Sequence, residues 1–318
     1  MNSRANTVLD ICRKKYEEKE NSDKSLSLVK LLIESHNNFP TAAGLASSAS
    51  GYAALAVCLF EFFGLKETFP GEITEIARQG SGSACRSLYG GLVIWEGYTK
   101  LKENTNSENC IAKVIQPKED FEDLEILIIG PDCGEKAISS TIGMKETIKT
   151  SELYKKRLEN VEETLENLMN KLKFKDYHSA FEIIMKDSNN FHATCLDTFP
   201  PLFYINDFTK AIINSIHAYN SHCGENRIAY TVDAGPHSTI IGKSEDINVY
   251  LSNFSQVFSE SSHWNKSPKL VSRLESLKNS ALPSKSQIKE IQQILENEKS
   301  TRLFSYLTSV GSGPIKIN

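Results

Sequence analysis

The chain has 318 residues, enough for two ordinary domains with substantial cores. Its apolar share of 40 % and charged share of 24 % exclude a disordered or fibrous polymer. With 36 basic against 40 acidic side chains and no block of Lys or Arg, it offers no continuous surface for a nucleic-acid backbone, and no apolar run approaches the roughly 20 residues of a membrane span.

Met1 is followed by the polar stretch N-S-R-A-N-T rather than an apolar leader, and the seven cysteines include no C-x-x-C pair. Both point to reduced thiols and a cytoplasmic location. No internal repeat is visible. The periodicity predicts a helix over Thr7–Lys19, a strand over Ser27–Glu34, and a buried helix over Ser47–Phe63 that stops at Gly64. A short helix over Glu72–Arg78 ends at Gly80, a strand follows over Leu92–Tyr98, and the polar run Lys102–Asn109 reads as a surface loop.

Leu124–Ile129 is a strand closed by Gly130 and Pro131. Long helices follow over Ser140–Lys173, with Val161, Leu165, Leu168 and Leu172 holding a helical period. Asp176–Cys195 predicts another helix, which F-P-P at Phe199–Pro201 breaks, and Thr209–Tyr219 the next. A strand over Arg227–Val232 enters the turn D-A-G-P and a second strand follows it. Ser284–Asn297 predicts an amphipathic helix, and Leu303–Val310 a last strand before G-S-G-P.

Three clusters carry chemistry. P-T-A-A-G-L-A-S-S-A-S precedes the apolar helix at Ser47. A helix start leaves backbone N–H groups without intrahelical partners and favours anions, and small residues let a phosphate approach them. The same spacing also suits a tight turn that packs the helix closely on a neighbour, and spacing alone does not choose between the two. It is not the G-x-x-x-x-G-K-[ST] nucleotide loop, because the lysine is lacking. In G-S-G-S-A-C-R-S-L-Y-G-G, Arg86 presents a fixed fork of donors suited to a carboxylate or phosphate, among Ser81, Ser83 and Ser87. In T-V-D-A-G-P-H, Asp233 ends an apolar strand and projects a carboxylate from a rigid support, as a base should, although an aspartate there can also merely close its own turn. His192 and Cys85 read as structural residues, since nothing in sequence supplies either with a partner.

Together these motifs, with S-S-T-I-G-M and M-K-D-S-N-N-F-H-A-T-C-L-D-T-F-P-P, resemble the diphosphomevalonate decarboxylase family of the GHMP kinase superfamily, from about Asn2 to Pro314. The resemblance implies an α+β, two-domain GHMP kinase fold. Residues 1–120 would form an N-terminal domain incomplete at its start, and 121–318 an α/β C-terminal domain. It implies ATP-dependent decarboxylation of (R)-5-diphosphomevalonate to isopentenyl diphosphate in isoprenoid and sterol biosynthesis, with ATP as co-substrate, Mg2+ as its counterion, and a homodimer.

By the same resemblance Asp233 and Arg86 are catalytic. Arg4, Ser81, Gly82, Ser83, Ala84, Cys85, Arg86 and Thr141 bind the substrate, and Ala43, Gly44, Leu45, Ala46, Ser47 and Ser48 hold the ATP phosphates, all in a cleft between domains. Two departures stand out. A family segment that binds the substrate diphosphate lies ahead of the position of Arg4, and the usual asparagine after D-A-G-P is His237 here. The first leaves an alternative open, a catalytically weak or silent relative that retains nucleotide binding or dimerisation.

Overall fold

The computed structural model describes residues 3–20, 22–39, 45–96, 110–132, 138–258, 264–278 and 288–317. The chain separates into two compact units: Met1–Pro40, Ala46–Phe121 and Gly311–Asn318 form the first, and Thr41–Leu45 with Glu122–Val310 the second. No described helix is long and apolar enough to cross a membrane.

The first unit is built on helices α1 (Ser3–Glu17), α3 (Ser47–Phe63) and α4 (Glu72–Gly80). Val8, Leu9, Cys12 and Tyr16 recur at helical spacing on α1 and pack against Leu59, Phe60 and Phe63 of α3 and Ile76 of α4. A second cluster is made of small residues, Ala53 and Ala56 with Ala77 and Ala84, which bring α3 and α4 close to a 3₁₀ segment at Gly82–Leu88. Gly64 ends α3 in the left-handed conformation at φ 56°. A hairpin of β1 (Leu92–Trp95) and β2 (Ala112–Gln116) completes the unit, and the chain's last segment returns to it, Gly91 N–H donating to Gly311 O at 3.1 Å.

The strand expected over Ser27–Glu34 does not form. Asp23 caps a short helix, α2 (Lys24–Ser27), by accepting from Ser25 N–H at 2.9 Å, and the residues beyond run without regular structure. A strand depends on a partner ladder, and no described strand lies beside this segment. Leu28 and Leu32 are 79 % and 88 % exposed, so the apolar composition that suggested a strand is unmatched by burial. The predicted strand at Leu92 ends at Trp95, the last part of the Leu92–Tyr98 expectation and the Lys102–Asn109 loop lying outside the described residues.

The second unit is a five-stranded sheet carrying helices. Strands β3 (Leu124–Pro131), β4 (Ile228–Val232), β5 (Ser238–Lys243), β6 (Trp264–Lys266) and β7 (Leu303–Ser309) lie in the order β4-β5-β3-β7-β6, antiparallel except for the last pair. Central β3 explains its apolar run: Leu127 faces Ile240 on one side and Leu307 on the other, and it is fully buried.

The predicted helical stretch over Ser140–Lys173 divides at Ser151 into α5 (Ser140–Thr150) and α6 (Glu152–Lys173), because Ser151 caps α6 by accepting from Tyr154 N–H. Helices α7 (Tyr177–Asp197) and α8 (Asp207–Cys223) begin at the side-chain caps Asp176 and Asn206. Helices α9 (Ser244–Phe258), α10 (Pro268–Lys278) and α11 (Lys289–Glu296) follow.

Strand β4 lies at the sheet's edge, and side chains from the helices take up its outward peptide groups. Asn220 of α8 accepts from Ile228 N–H and donates to Ile228 O, at 3.2 and 2.9 Å. At the other end, Ser188 of α7 accepts from Val232 N–H at 3.0 Å, and His192 Nε2 lies 3.0 Å from Val232 O. The edge is thereby capped at both of its ends.

Candidate active site

In the first unit, α3 starts differently from α5 to α8 of the second. Ser139, Ser151, Asp176 and Asn206 cap α5 to α8 with side-chain acceptors, whereas Ala46, left-handed at φ 51°, precedes α3 without a side-chain cap. Among the described residues no side chain caps the first N–H groups of α3, which lie beside the half-buried Ser47 and the exposed Ser48. Leu45 is half-buried and Ala46 exposed; Ala43 and Gly44 lie outside the described residues.

The arginine cluster sits against this helix start. Ser48 Oγ and Ser81 Oγ are 3.2 Å apart, joining the two serine-bearing segments that the sequence separates by more than thirty positions. The 3₁₀ turn explains the alternation within G-S-A-C-R: Ala84 and Cys85 point into the core at 0 % exposure, while Gly82 and Arg86 face out and Ser83 is half-buried. Cys85 Sγ donates to Gly82 O at 3.1 Å, and burial raises its thiol, so it stays protonated and acts as packing. The Arg86 guanidinium lies over the Trp95 ring at 5.8 Å, a cation–π contact that restricts a long side chain. Trp95 also lies against Gly82, where a Cβ would meet the indole at 3.2 Å. Arg4 is exposed on the first turn of α1, and among the described residues no hydrogen bond or ion pair engages it.

The junction depends on a close approach at Gly80, where a Cβ would overlap the ring of Tyr52 on α3. Gly80→Ala is therefore expected to destabilise the first unit by ~1–3 kcal/mol, by forcing α3 and α4 apart. Denaturant unfolding checks the effect.

In the second unit, Asp233 follows the last residue of β4 and is exposed. Its Oδ1 accepts from Ala234 N–H at 2.6 Å, and Gly235 N–H donates to its backbone carbonyl at 2.7 Å, so the turn holds the residue while leaving the rest of the carboxylate open. Cys195, Leu202, Tyr204 and Ala234 form a buried cluster beside it. Burial pushes the Cys195 thiol up to about 11, with the Asp233 charge adding to the rise, and raises the Tyr204 phenol by burial and then by Cys195 and Asp233. Both groups remain neutral next to the carboxylate.

Thr141 is half-buried on the first turn of α5. Two residues on, Gly143 lets that helix meet the Tyr204 hydroxyl, which a Cβ would overlap. Tyr204 thus meets the S-S-T-I-G-M helix at Gly143 and packs in the cluster that holds Ala234, the residue after Asp233. Tyr204 and Ser188 escaped the sequence reading. The spacing of Ser188, His192 and Cys195 along one helical face was the available signal. His237 is buried, packs edge-on to Phe304 at 5.8 Å, and sits where a Cβ at Gly130 would overlap it.

His192 is buried, and burial lowers its imidazole below the usual value although its bond to Val232 O and the nearby Asp233 charge act the other way. The folded state therefore binds fewer protons than the unfolded chain. The stability this group contributes is present above about pH 6.5 and is lost as the pH falls from there through the lowered folded value. The thermal midpoint is expected to fall between pH 7 and pH 5 with a steeper slope in the native chain than in His192→Gln. Parallel slopes would contradict the assignment.

Residues 126–317 match the mevalonate 5-diphosphate decarboxylase C-terminal domain, and residues 1–111 the diphosphomevalonate decarboxylase-like N-terminal domain. The fold is that of mevalonate diphosphate decarboxylase from Trypanosoma brucei, 30 % identical, with a TM-score of 0.81 over 98 % of this chain and 77 % of that one. A second structure, MDDEF in complex with MVAPP, AMPPCP and magnesium, is 29 % identical, with a TM-score of 0.63 over 81 % of this chain and 73 % of the other. The diphosphomevalonate decarboxylase of Rattus norvegicus is 43 % identical over 223 residues, which cover 70 % of this chain and 54 % of the relative. The chain thus spans about half the length of that relative. It belongs to the diphosphomevalonate decarboxylase family.

Proposed function

We propose that the chain catalyses ATP-dependent decarboxylation of (R)-5-diphosphomevalonate to isopentenyl diphosphate, with release of ADP, phosphate and carbon dioxide. The observation that carries this reading is the junction at Ser48 and Ser81, where a helix start without a side-chain cap adjoins a serine-rich turn bearing Arg86. A phosphate acceptor site and a carboxylate grip side by side suit a reaction that phosphorylates an alcohol and then expels a carboxylate carbon. The bound MVAPP and AMPPCP of the related structure support the same pair of substrates.

On this reading the segment from Ala43 to Ser48 cradles the ATP phosphates, and Ser81 to Arg86, Thr141 and Arg4 hold the acid substrate. Asp233 orients or deprotonates the tertiary hydroxyl, whose oxygen attacks the terminal phosphorus as ADP leaves. The C–O bond of the new phosphate ester then breaks, and inorganic phosphate leaves with the bonding electrons. The bond between the neighbouring carbon and the carboxylate breaks as carbon dioxide departs, and its electron pair forms the double bond to the electron-poor carbon. Arg86 keeps the carboxylate aligned for that step.

Magnesium neutralises phosphate charge when it accompanies the nucleotide. Among the described residues no group of three His, Cys, Asp or Glu side chains stands ready to ligate it, so its donors would be phosphate oxygens with a hydroxyl such as that of Ser47 or Ser48. The reading extends to a homodimer, which light scattering checks.

Coupled ADP release tests the substrate assignment. Diphosphomevalonate is expected to stimulate ADP formation, and mevalonate or its monophosphate far less. Equal stimulation by all three would overturn the substrate. Nucleotide binding without any turnover would leave only the nucleotide-binding alternative.

A further inference from the structure

We propose that Ser188 and His192 are positioning residues that aim the Asp233 carboxylate by clamping both peptide groups of the preceding residue. They lie four positions apart on α7 and therefore on one face of it. That face meets the outward side of edge strand β4 at its last residue. Ser188 Oγ accepts from Val232 N–H and His192 Nε2 bonds to Val232 O, each at 3.0 Å. Because the partner of His192 is a carbonyl oxygen, the imidazole must be the donor, which fixes its protonated nitrogen as Nε2.

The geometry at this point differs from ordinary strand pairing. Val232 is the last residue of β4 in register with β5, opposite Ser238, and the chain leaves the sheet at Asp233. Beyond that point the sheet no longer constrains the backbone, yet the carboxylate must be held to a fraction of an ångström for in-line chemistry. Both side chains that grip Val232 are buried, at 4 % and 6 % exposure, so the clamp is rigid and shielded from competing water. The strand's other end provides an internal comparison. There Asn220 alone takes both peptide groups of Ile228, at the end of β4 away from Asp233. The two caps do the same structural work, and only one is adjacent to the carboxylate.

The inference rests on the decarboxylase reading, and its test separates the two. Ser188→Ala and His192→Leu are compared with Asn220→Ala for thermal midpoint, kcat and KM, and His192→Gln is included because its amide restores a donor at similar reach. All three cap deletions are expected to lower the midpoint. Only Ser188→Ala and His192→Leu are expected to reduce kcat, by roughly 10- to 100-fold with KM little changed, and His192→Gln to recover most of the loss. If Asn220→Ala reduces kcat as much as His192→Leu does, or if His192→Leu keeps full kcat, the clamp has no special link to Asp233 and the proposal fails.

A readout independent of turnover guards against failure of the decarboxylase reading or of folding. The Ala234 amide donates to Asp233 Oδ1, so its proton resonance reports the carboxylate's position. It is expected to move in Ser188→Ala and His192→Leu and to stay in place in Asn220→Ala. An unmoved resonance in both clamp variants would overturn the proposal even in a chain without activity.

Discussion

Asp233→Asn is expected to lower kcat by ~10²–10⁴-fold, the range for loss of a positioned general base, while leaving the fold intact. The substitution is conservative where structure depends on the side chain. An asparagine retains an oxygen at the position of Oδ1, so it still accepts from Ala234 N–H and keeps the turn closed. What it removes is the negative charge and the ability to take a proton. The thermal midpoint should therefore change little while ADP release in the presence of both substrates collapses. Activity within tenfold of the native chain would remove Asp233 from the chemistry.

Arg86→Ala is expected to lower kcat/KM by ~10²–10³-fold, as for loss of one preorganised charge-assisted contact in a transition state. The arginine is exposed and held by the Trp95 ring, so its removal leaves no buried charge unpaired, and stability should be nearly unchanged. Arg86→Lys should recover little, because an ammonium lacks both the planar fork and the flat face that stacks on indole. Efficient turnover by the lysine variant would show that a positive charge suffices and that no two-point grip on a carboxylate is involved.

The elements that sequence reading places well are those whose signals are local. Helix α3 is bounded by a small-residue start and the left-handed Gly64, and β3 is an apolar run closed by Gly130 and Pro131. The reading carries no assignment across α9 and α10. Helix α9 mixes Ser, Asn, Val and Tyr, which favour it poorly, although Ile247, Tyr250, Leu251, Phe254 and Phe258 recur at helical spacing and are all buried. Short β6, of three residues, exists only through its parallel partner β7, and β2 only through β1; neither pairing has a local signature. The Ser27–Glu34 expectation failed for the same reason in reverse, a strand-like composition with no ladder beside it.

The candidate site divides in the same way. The place of Asp233 at a strand end was legible, because a strand and a D-A-G-P turn frame it within a few residues. The packing around that turn was not, since Tyr204 joins the cluster of Ala234, and His192 bonds to Val232 O, only once F-P-P turns the chain back and α7 lies along β4. Likewise the meeting of Ser48 with Ser81 follows from alanine-lined packing of α3, α4 and the 3₁₀ turn, which no spacing rule reports.

The most direct measurement follows carboxyl-labelled diphosphomevalonate and ATP through one reaction, counting labelled carbon dioxide against ADP. The native chain is expected to release the two in equal amounts, with Asp233→Asn giving neither. ADP formed while the label stays in a phosphorylated acid would identify a kinase without decarboxylation, and would contradict the assignment of Arg86 to the departing carboxylate.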